Sequence, residues 1–209
     1  MATANLDISL VGGRLAVDFA NFPSVPGFGK SRSFSWEELI HFLQAVRIVS
    51  LDRADQLCQL PNSDPQAADD LLSRADRLRE SLSLILKALA GKNRIHREWV
   101  AAINEVLQVT EGHDELVETP AQGWRMEYVA REGGLDWLLA AIARSAAEIV
   151  TEGQPSQIRL CANPACSLFF YDNSRTHRRR WCSMSLCGNR HKVAAFARRH
   201  SVKRRAAGA

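Results

Sequence analysis

The sequence predicts a mainly α-helical protein, in which a helical N-terminal domain with a small β-hairpin precedes a short cysteine-containing module. Three observations support this fold class. Apolar residues recur at helical spacing through most of the first 150 residues, four of the five cysteines lie between positions 161 and 187, and positive charge is concentrated at the C-terminal end. Apolar residues make up 46% of the 209 residues, which is sufficient for a buried core.

Helix start and stop signals divide the N-terminal part into several short helices and one long helix. Ser35 and Glu38 form a capping-box pattern, and Asp64 followed by Pro65 is typical of a helix start. Gly91 is typical of a helix end. These signals and the apolar periodicity predict helices over residues 14–21, 36–49, 50–60, 65–91 and 95–109.

The pattern then changes from helical to extended. Residues 115–119 and 124–131 are rich in Val, Trp and Tyr and flank a Pro-Ala-Gln-Gly segment, which predicts a β-hairpin. An amphipathic helix over residues 135–150 follows. Glycine and proline then mark a boundary, so we divide the chain into a helical domain over residues 1–153 and a basic module over residues 158–209.

Charge differs sharply between these two parts. Residues 159–209 contain twelve Lys and Arg and one acid, Asp172, whereas residues 1–158 contain fifteen bases and twenty-two acids. This asymmetry predicts an acidic N-terminal part joined to a basic segment that binds nucleic acid. No segment approaches the roughly 18–20 apolar residues of a membrane span, and the N-terminus lacks a secretory-signal pattern. We therefore expect a cytoplasmic protein without membrane contact.

The four clustered cysteines follow the spacing Cys161-x4-Cys166-x15-Cys182-x4-Cys187. Two close pairs joined by a loop supply the four thiolates of a tetrahedral zinc site, so we predict one structural zinc ion per chain. Turn-forming residues after position 171 predict a hairpin of residues 168–171 with 178–181. A helix from Cys187 to about residue 205 completes a treble-clef-like module of knuckle, hairpin and helix.

Other readings of the cysteines remain open at this point. The thiols could be buried without a metal, or they could form a disulfide or a redox switch. One of three histidines could also replace a cysteine as ligand, namely His177, His191 or His200. A catalytic zinc ion normally keeps one coordination position open, so four cysteine ligands favour a structural role and we expect no enzymatic activity.

The second cysteine pair and its surroundings resemble the CGNR zinc-finger family. The resemblance rests on Cys182-Ser-Met-x-x-Cys187-Gly188-Asn189-Arg190 and on the upstream Cys161-x4-Cys166. It implies a DNA-binding transcription regulator. The N-terminal Asp18-Phe-Ala-Asn21 is similar to a signature of the ABATE-type stress-induced regulator domain, which is the usual partner of this zinc finger, although Phe22 stands where that signature commonly has Thr.

The basic module supplies candidate nucleic-acid contacts, because Lys and Arg side chains provide most of the non-specific affinity for phosphate. Asn189 and Arg190 are placed to meet a base edge, although a structural role for Asn189 in the cysteine turn is the stronger reading. We also expect Val193 and Phe196 to face the zinc hairpin. The candidate set is Arg175, Arg178, Arg179, Arg180, Asn189, Arg190, Lys192, Arg198, Arg199 and Lys203.

The helical domain contains no convincing catalytic set. Asp18 and Asn21 share one helix face and form a possible site for a small-molecule effector, although capping and core hydrogen bonds explain such pairs more often. We therefore predict a transcription regulator whose N-terminal domain senses an effector or forms a homodimer, and whose zinc module binds DNA. The alternatives are a zinc-stabilised module that binds an acidic protein partner, or an RNA-binding protein.

Overall fold

The structure is a computed structural model that describes residues 8–24, 32–119, 123–131, 134–152, 157–194 and 196–197. Within these residues it is mainly helical with two small antiparallel sheets, as the sequence predicts. The helices are α1 (Leu15–Asn21), α2 (Trp36–Ala45), α3 (Leu51–Cys58), α4 (Leu60–Ser63), α5 (Pro65–Ala90), α6 (Arg97–Val109) and α7 (Trp137–Thr151). The strands are β1 (Gly112–Thr119), β2 (Gly123–Ala130), β3 (Ile158–Leu160) and β4 (Phe169–Tyr171).

The long helix α5 is the centre of the helical domain. It contacts α1, α2, α4, α6 and α7, and its apolar stripe is buried throughout its length at Leu71, Ala75, Leu78, Leu82 and Ile85. Four phenylalanine rings pack beside it with centroids 4.9–5.9 Å apart, at positions 19, 22, 34 and 42. Burial of this apolar surface is the main stabilising contribution to the domain.

The predicted helix boundaries are close to the observed ones where capping residues define them. Ser35 and Glu38 form the complete capping box of α2, and the Asp64 side chain accepts a hydrogen bond from the Ala67 amide at the start of α5. Helix α2 ends at Ala45 and not near Val49, because Arg47 adopts a left-handed conformation with φ 63°. The Ile48 amide then donates to the Leu43 carbonyl and closes the helix end.

The predicted hairpin is present and longer than expected. Strands β1 and β2 pair antiparallel from Gly112 opposite Ala130 to Thr119 opposite Gly123. Strand β2 lies against α7, and Arg144 of that helix pairs with Asp114 of β1 at 2.8 Å.

The strand pairing in the cysteine-containing module differs from our prediction. Strand β4 pairs with β3, which precedes the first cysteine, and not with residues 178–181. The segment 178–181 instead lies beside the first cysteine turn, where the Ala162 amide donates to the Arg180 carbonyl. This arrangement places the second cysteine pair next to the first. The hairpin that we predicted would not by itself have brought the two pairs together.

Strand β4 joins the core of the helical domain to the core of the module. Because side chains alternate across a strand, Phe169 and Tyr171 pack against the helical core while Phe170 is buried among the cysteines. The Asn21 side chain donates to the Phe169 carbonyl and accepts from the Phe169 amide, both at 2.8 Å. Asn21 thus pairs with β4 as a neighbouring strand would. We call this pair of hydrogen bonds the Asn21 clamp.

We expect Asn21→Ala to lower the free energy of unfolding of the zinc-loaded protein by about 2–3 kcal/mol, because two backbone groups of Phe169 lose their partners. Urea denaturation measures this change. Asn62→Ala is the matched control, since Asn62 is exposed and its side chain donates to Gln59, the residue before α4, so its effect should stay within about 0.5 kcal/mol. Equal effects of the two substitutions would contradict a joining role for Asn21.

Candidate metal centre and nucleic-acid interface

The four cysteines predicted as ligands converge on one point. Their Sγ atoms all lie within 4.8 Å of one another and all four residues are buried. The Sγ atom of Cys182 lies 3.8 Å from that of Cys166 and 3.7 Å from that of Cys187. A tetrahedron with Zn–S bonds of about 2.3 Å has edges of about 3.8 Å, so the cluster has the dimensions of a four-thiolate zinc site. All five cysteines of the chain are free, which removes the disulfide alternative.

Local backbone structure places each cysteine. The Cys161 amide donates to the Leu168 carbonyl at the end of the β3–β4 pair. Asn163 forms a tight turn, in which its side chain accepts from the Ala165 amide and its carbonyl accepts from the Cys166 amide. Cys187 lies in a π-helical turn, Met184–Gly188. The predicted C-terminal helix therefore begins earlier than Cys187 and continues through residues 189–194 and 196–197.

Electrostatics favour a cation at the centre of the cluster. The contact with the Cys166 thiol, followed by burial, raises the pKa of Cys182, and burial raises the pKa of Cys161. Four thiolates at these distances therefore need a positive ion among them. Two hydrogen bonds also support the anionic sulfurs, from the Cys182 amide to Cys161 Sγ at 3.5 Å and from the Asn163 side chain to Cys187 Sγ at 3.4 Å.

The loop between the cysteine pairs is organised by Asp172, which is completely buried. Its carboxylate accepts hydrogen bonds from the Ser174 hydroxyl at 2.6 Å and from the Arg179 amide at 2.9 Å, and it forms a salt bridge with Arg159 at 3.2 Å. Although burial alone would raise the pKa of Asp172, these hydrogen bonds, together with the charge of Arg159, lower it. The carboxylate therefore acts as the anionic centre of a loop that contains several arginines.

Six predicted nucleic-acid contacts lie on the module surface. Arg175, Arg178, Arg180, Asn189, Arg190 and Lys192 are all exposed. The Asn189 side chain donates to the Ser185 carbonyl at 3.1 Å, which agrees with the structural role proposed for it in the cysteine turn. Arg198, Arg199 and Lys203 lie outside the described residues.

Arg179 differs from the other predicted contacts. Its guanidinium donates to the carbonyls of Trp181 and Cys182 and stacks 4.6 Å over the Phe170 ring. These contacts hold the backbone of the second cysteine pair. Arg179 therefore supports the metal centre from within the module.

We predicted that Val193 and Phe196 of the C-terminal helix pack against the zinc hairpin, but in the structure both side chains are exposed to solvent. Val193 is 68% exposed and Phe196 is 58% exposed. Phe170 and the Trp181 ring are buried against the cysteines instead, and His191 is the helix residue that stacks on Trp181, at 4.7 Å between ring centroids. The strand pairing explains the difference, since β4 places Phe169 against the helical domain.

Asp18 and Asn21 lie on one face of α1, as predicted, and both have partners within the chain. The Asp18 carboxylate accepts from the Gly12 amide at 2.7 Å, and the Gly12 carbonyl in turn accepts from the Tyr171 amide at 2.7 Å. Asn21 forms the clamp on Phe169 described above. The pair therefore connects α1 to β4, and its role as an effector site stays a prediction.

Sequence reasoning assigned no function to several residues that support this connection. A Cβ atom at Gly12 would lie 2.8 Å from the Asp18 amide nitrogen, and Gly13 has a φ of +76°, so the Gly-Gly pair allows the chain to pass between α1 and β4. The Arg159–Asp172 pair was also missed. The single acid in a basic segment was the signal that could have identified it.

The fold and site define a helical domain joined to a small module with four converging cysteines, which has the character of a structural zinc finger. Two family models match the chain, the CGNR zinc finger over residues 157–200 and ABATE, described as "Putative stress-induced transcription regulator", over residues 13–153. The second match covers more than half of the sequence, and the chain belongs to the ABATE family. It contains one structural zinc site of the CGNR type. No curated protein matches the chain in sequence. No helix among the described residues is both long and apolar enough to span a membrane.

We expect elemental analysis to find one zinc ion per chain. Cys182→Ser should lose this ion, because Cys182 Sγ is a ligand that lies within 3.8 Å of the sulfurs of Cys166 and Cys187. The β3–β4 module should unfold while the helical circular-dichroism signal largely persists. Zinc affinity should fall as the pH is lowered, because protons compete for thiols whose pKa values are raised.

Cys58→Ser is the matched control for this zinc experiment, since Cys58 lies in α3 and outside the cluster. Its zinc content should equal that of the unmodified protein. Full zinc occupancy in Cys182→Ser would refute the ligand assignment.

We expect Asp18→Asn to change the pH dependence of stability. Burial raises the pKa of Asp18 to about 6, against the opposing hydrogen bonds from Gly12 and Val11. The folded state then holds a proton more tightly than the unfolded state, so this carboxyl's contribution to stability is full below about pH 4 and is lost as the pH rises through about 6. Asparagine retains an acceptor for the Gly12 amide but cannot ionise.

The measurement is the difference in unfolding free energy between the zinc-loaded protein and Asp18→Asn, from pH 4.5 to pH 7.5, so that effects of pH on zinc binding cancel. As the pH rises across this range, the unfolding free energy of the variant should increase by on the order of 2 kcal/mol relative to that of the unmodified protein. A difference that does not vary with pH would show that Asp18 does not titrate there.

Proposed function

We propose that the chain is a cytoplasmic transcription regulator that binds duplex DNA through the exposed basic surface of its zinc module. The burial of Asp172 is the observation that most favours this proposal. Asp172 is the single acidic side chain of residues 159–209, and it is fully buried and paired with Arg159. The module therefore presents many basic side chains and no acidic side chain to a polyanion.

Among the described residues, the surface that would meet phosphate includes five exposed cations, at Arg175, Arg178, Arg180, Arg190 and Lys192. One of them, Arg180, is attached to backbone held next to the metal centre. The Arg180 carbonyl accepts from the Ala162 amide at 2.8 Å, and the Arg180 guanidinium lies 5.2 Å from the Trp181 ring centroid. Fixed backbone lowers the entropic cost of placing this charge against DNA.

The zinc ion in this proposal has a structural role only. Four cysteines complete a tetrahedral coordination shell and leave no position for a substrate, so we infer that the protein is not an enzyme at this centre. The helical domain would supply effector sensing or homodimerisation. Its acidic balance would keep it away from DNA and leave the contact to the module.

We expect binding to a DNA duplex to weaken steeply with salt, with a log–log slope near −4 to −5 if about four to six phosphates are neutralised. Arg178→Gln and Arg180→Gln should each weaken binding and reduce the steepness of the slope by about one. Fluorescence anisotropy at several salt concentrations measures both quantities on the zinc-loaded protein.

Arg97→Gln is the matched control, because Arg97 is an exposed arginine at the start of α6 in the helical domain. Its affinity and slope should equal those of the unmodified protein. A flat salt response, or stronger binding to an acidic protein than to DNA, would favour an acidic protein partner. Stronger binding to single-stranded RNA than to duplex DNA would favour RNA as the ligand.

A further inference from the structure

A large groove lies between the helical domain and the zinc module. Its volume is about 930 Å³, and it runs between the last turns of α5 and the first cysteine turn. We call it the interface groove, and its walls include Asn21, Leu84 and Lys87 from the helical domain and Leu160, Pro164 and Phe169 from the module. This volume lies within the range of small-molecule sites, which occur preferentially where two domains meet.

The groove wall is mainly apolar and includes large apolar side chains that are exposed to water. Leu84 is 43% exposed and Leu160 is 51% exposed, and they lie on opposite walls of the groove. Apart from the zinc ligand Cys166, Lys87 is the one ionisable side chain that lines it within the described residues. Such a wall favours the apolar part of a ligand.

A second depression of about 500 Å³ shares Ala90 and Leu160 with the interface groove. It is strongly cationic, since Lys92, Arg159, Arg179 and Arg180 line it. Arg159 is paired with Asp172, and Arg179 bonds to backbone carbonyls. The cationic groups that remain to meet a ligand are therefore those of Lys92 and Arg180. Lys92 follows the end of α5 and has a left-handed backbone conformation.

No carboxylate lines either cavity among the described residues. An apolar groove that adjoins a cationic depression at Ala90 and Leu160 complements a molecule with an apolar chain and one anionic head. We propose that this site binds a free amphipathic organic anion, with a straight-chain carboxylate as its simplest form. The chain would lie against Leu84 and Leu160, and the carboxylate would meet Lys92 and Arg180. This binding does not depend on DNA, so it can be tested apart from the proposed function.

The test uses the zinc-loaded full chain and the fluorescent probe 11-(dansylamino)undecanoate below its micelle concentration. We expect saturable 1:1 binding, displaced by decanoate. Decanol, which has the same chain without the charge, should compete at least about tenfold more weakly, as expected for loss of a charge-assisted contact. Lys92→Gln should weaken decanoate several-fold and should leave decanol unchanged.

Leu84→Glu should lower the affinity for the probe at least tenfold, because it places a negative charge in the apolar wall. Leu51→Glu is the matched control, since Leu51 is 68% exposed on α3 and lines neither cavity. Leu160→Glu tests the opposite wall and replaces Leu84→Glu if that variant does not fold. Zinc content and circular dichroism confirm that each variant is folded.

Three results would overturn the proposal. One is unchanged probe affinity in folded Leu84→Glu and Leu160→Glu. Another is competition by decanol equal to that by decanoate. The third is sedimentation of the protein with phosphatidylglycerol vesicles without binding of monomeric decanoate, which would identify a lipid surface and not a free anion as the ligand.

Discussion

The attraction between one zinc ion and four buried thiolates is the interaction on which the fold of the zinc module depends. The four sulfurs come from the first turn, the segment after the loop and the π-helical turn. In the described part of the module, the buried apolar cluster around them is small and consists of Leu168, Phe170 and Trp181. Apparent zinc affinities in small zinc modules are about 10–16 kcal/mol, which exceeds what such a small core supplies. The metal therefore fixes the backbone that holds Arg178, Arg180 and the start of the C-terminal helix.

The second constraint is polar and connects the zinc module to the helical domain. Strand β4 has an antiparallel partner, β3, on one side, and the Asn21 clamp and Gly12 supply hydrogen bonds to it from the helical domain. Backbone groups that would otherwise be buried without partners are satisfied in this way. The Asp18 carboxylate holds Gly12 in place. The Asp-x-x-Asn pattern thus has a structural explanation that requires no ligand.

Local signals in the sequence predicted most helices and the metal ligands, because these features depend on residues close in sequence. Caps at Ser35 and Asp64 placed two helix starts, and the cysteine spacing identified all four ligands. The left-handed Arg47 was not predicted, since arginine carries no signal for that conformation. The β3–β4 pairing was missed because the turn signals after residue 171 favoured a hairpin of residues 168–171 with 178–181. The Asn21 clamp was missed because it joins residues 148 positions apart, whose meeting no periodicity encodes.

The interface groove and the Asn21 clamp share residues, which links ligand binding to the joint between the two parts. Asn21 and Phe169 line the groove, and the wall also includes the zinc ligand Cys166. If the protein binds DNA as proposed, a ligand in the groove shifts the DNA affinity only as far as it binds the DNA-bound and free forms unequally. By reciprocity, DNA must shift the ligand affinity by the same factor. Arg180 belongs to both proposed binding surfaces, so competition for its guanidinium would make the two ligands weaken each other's binding even with a rigid clamp.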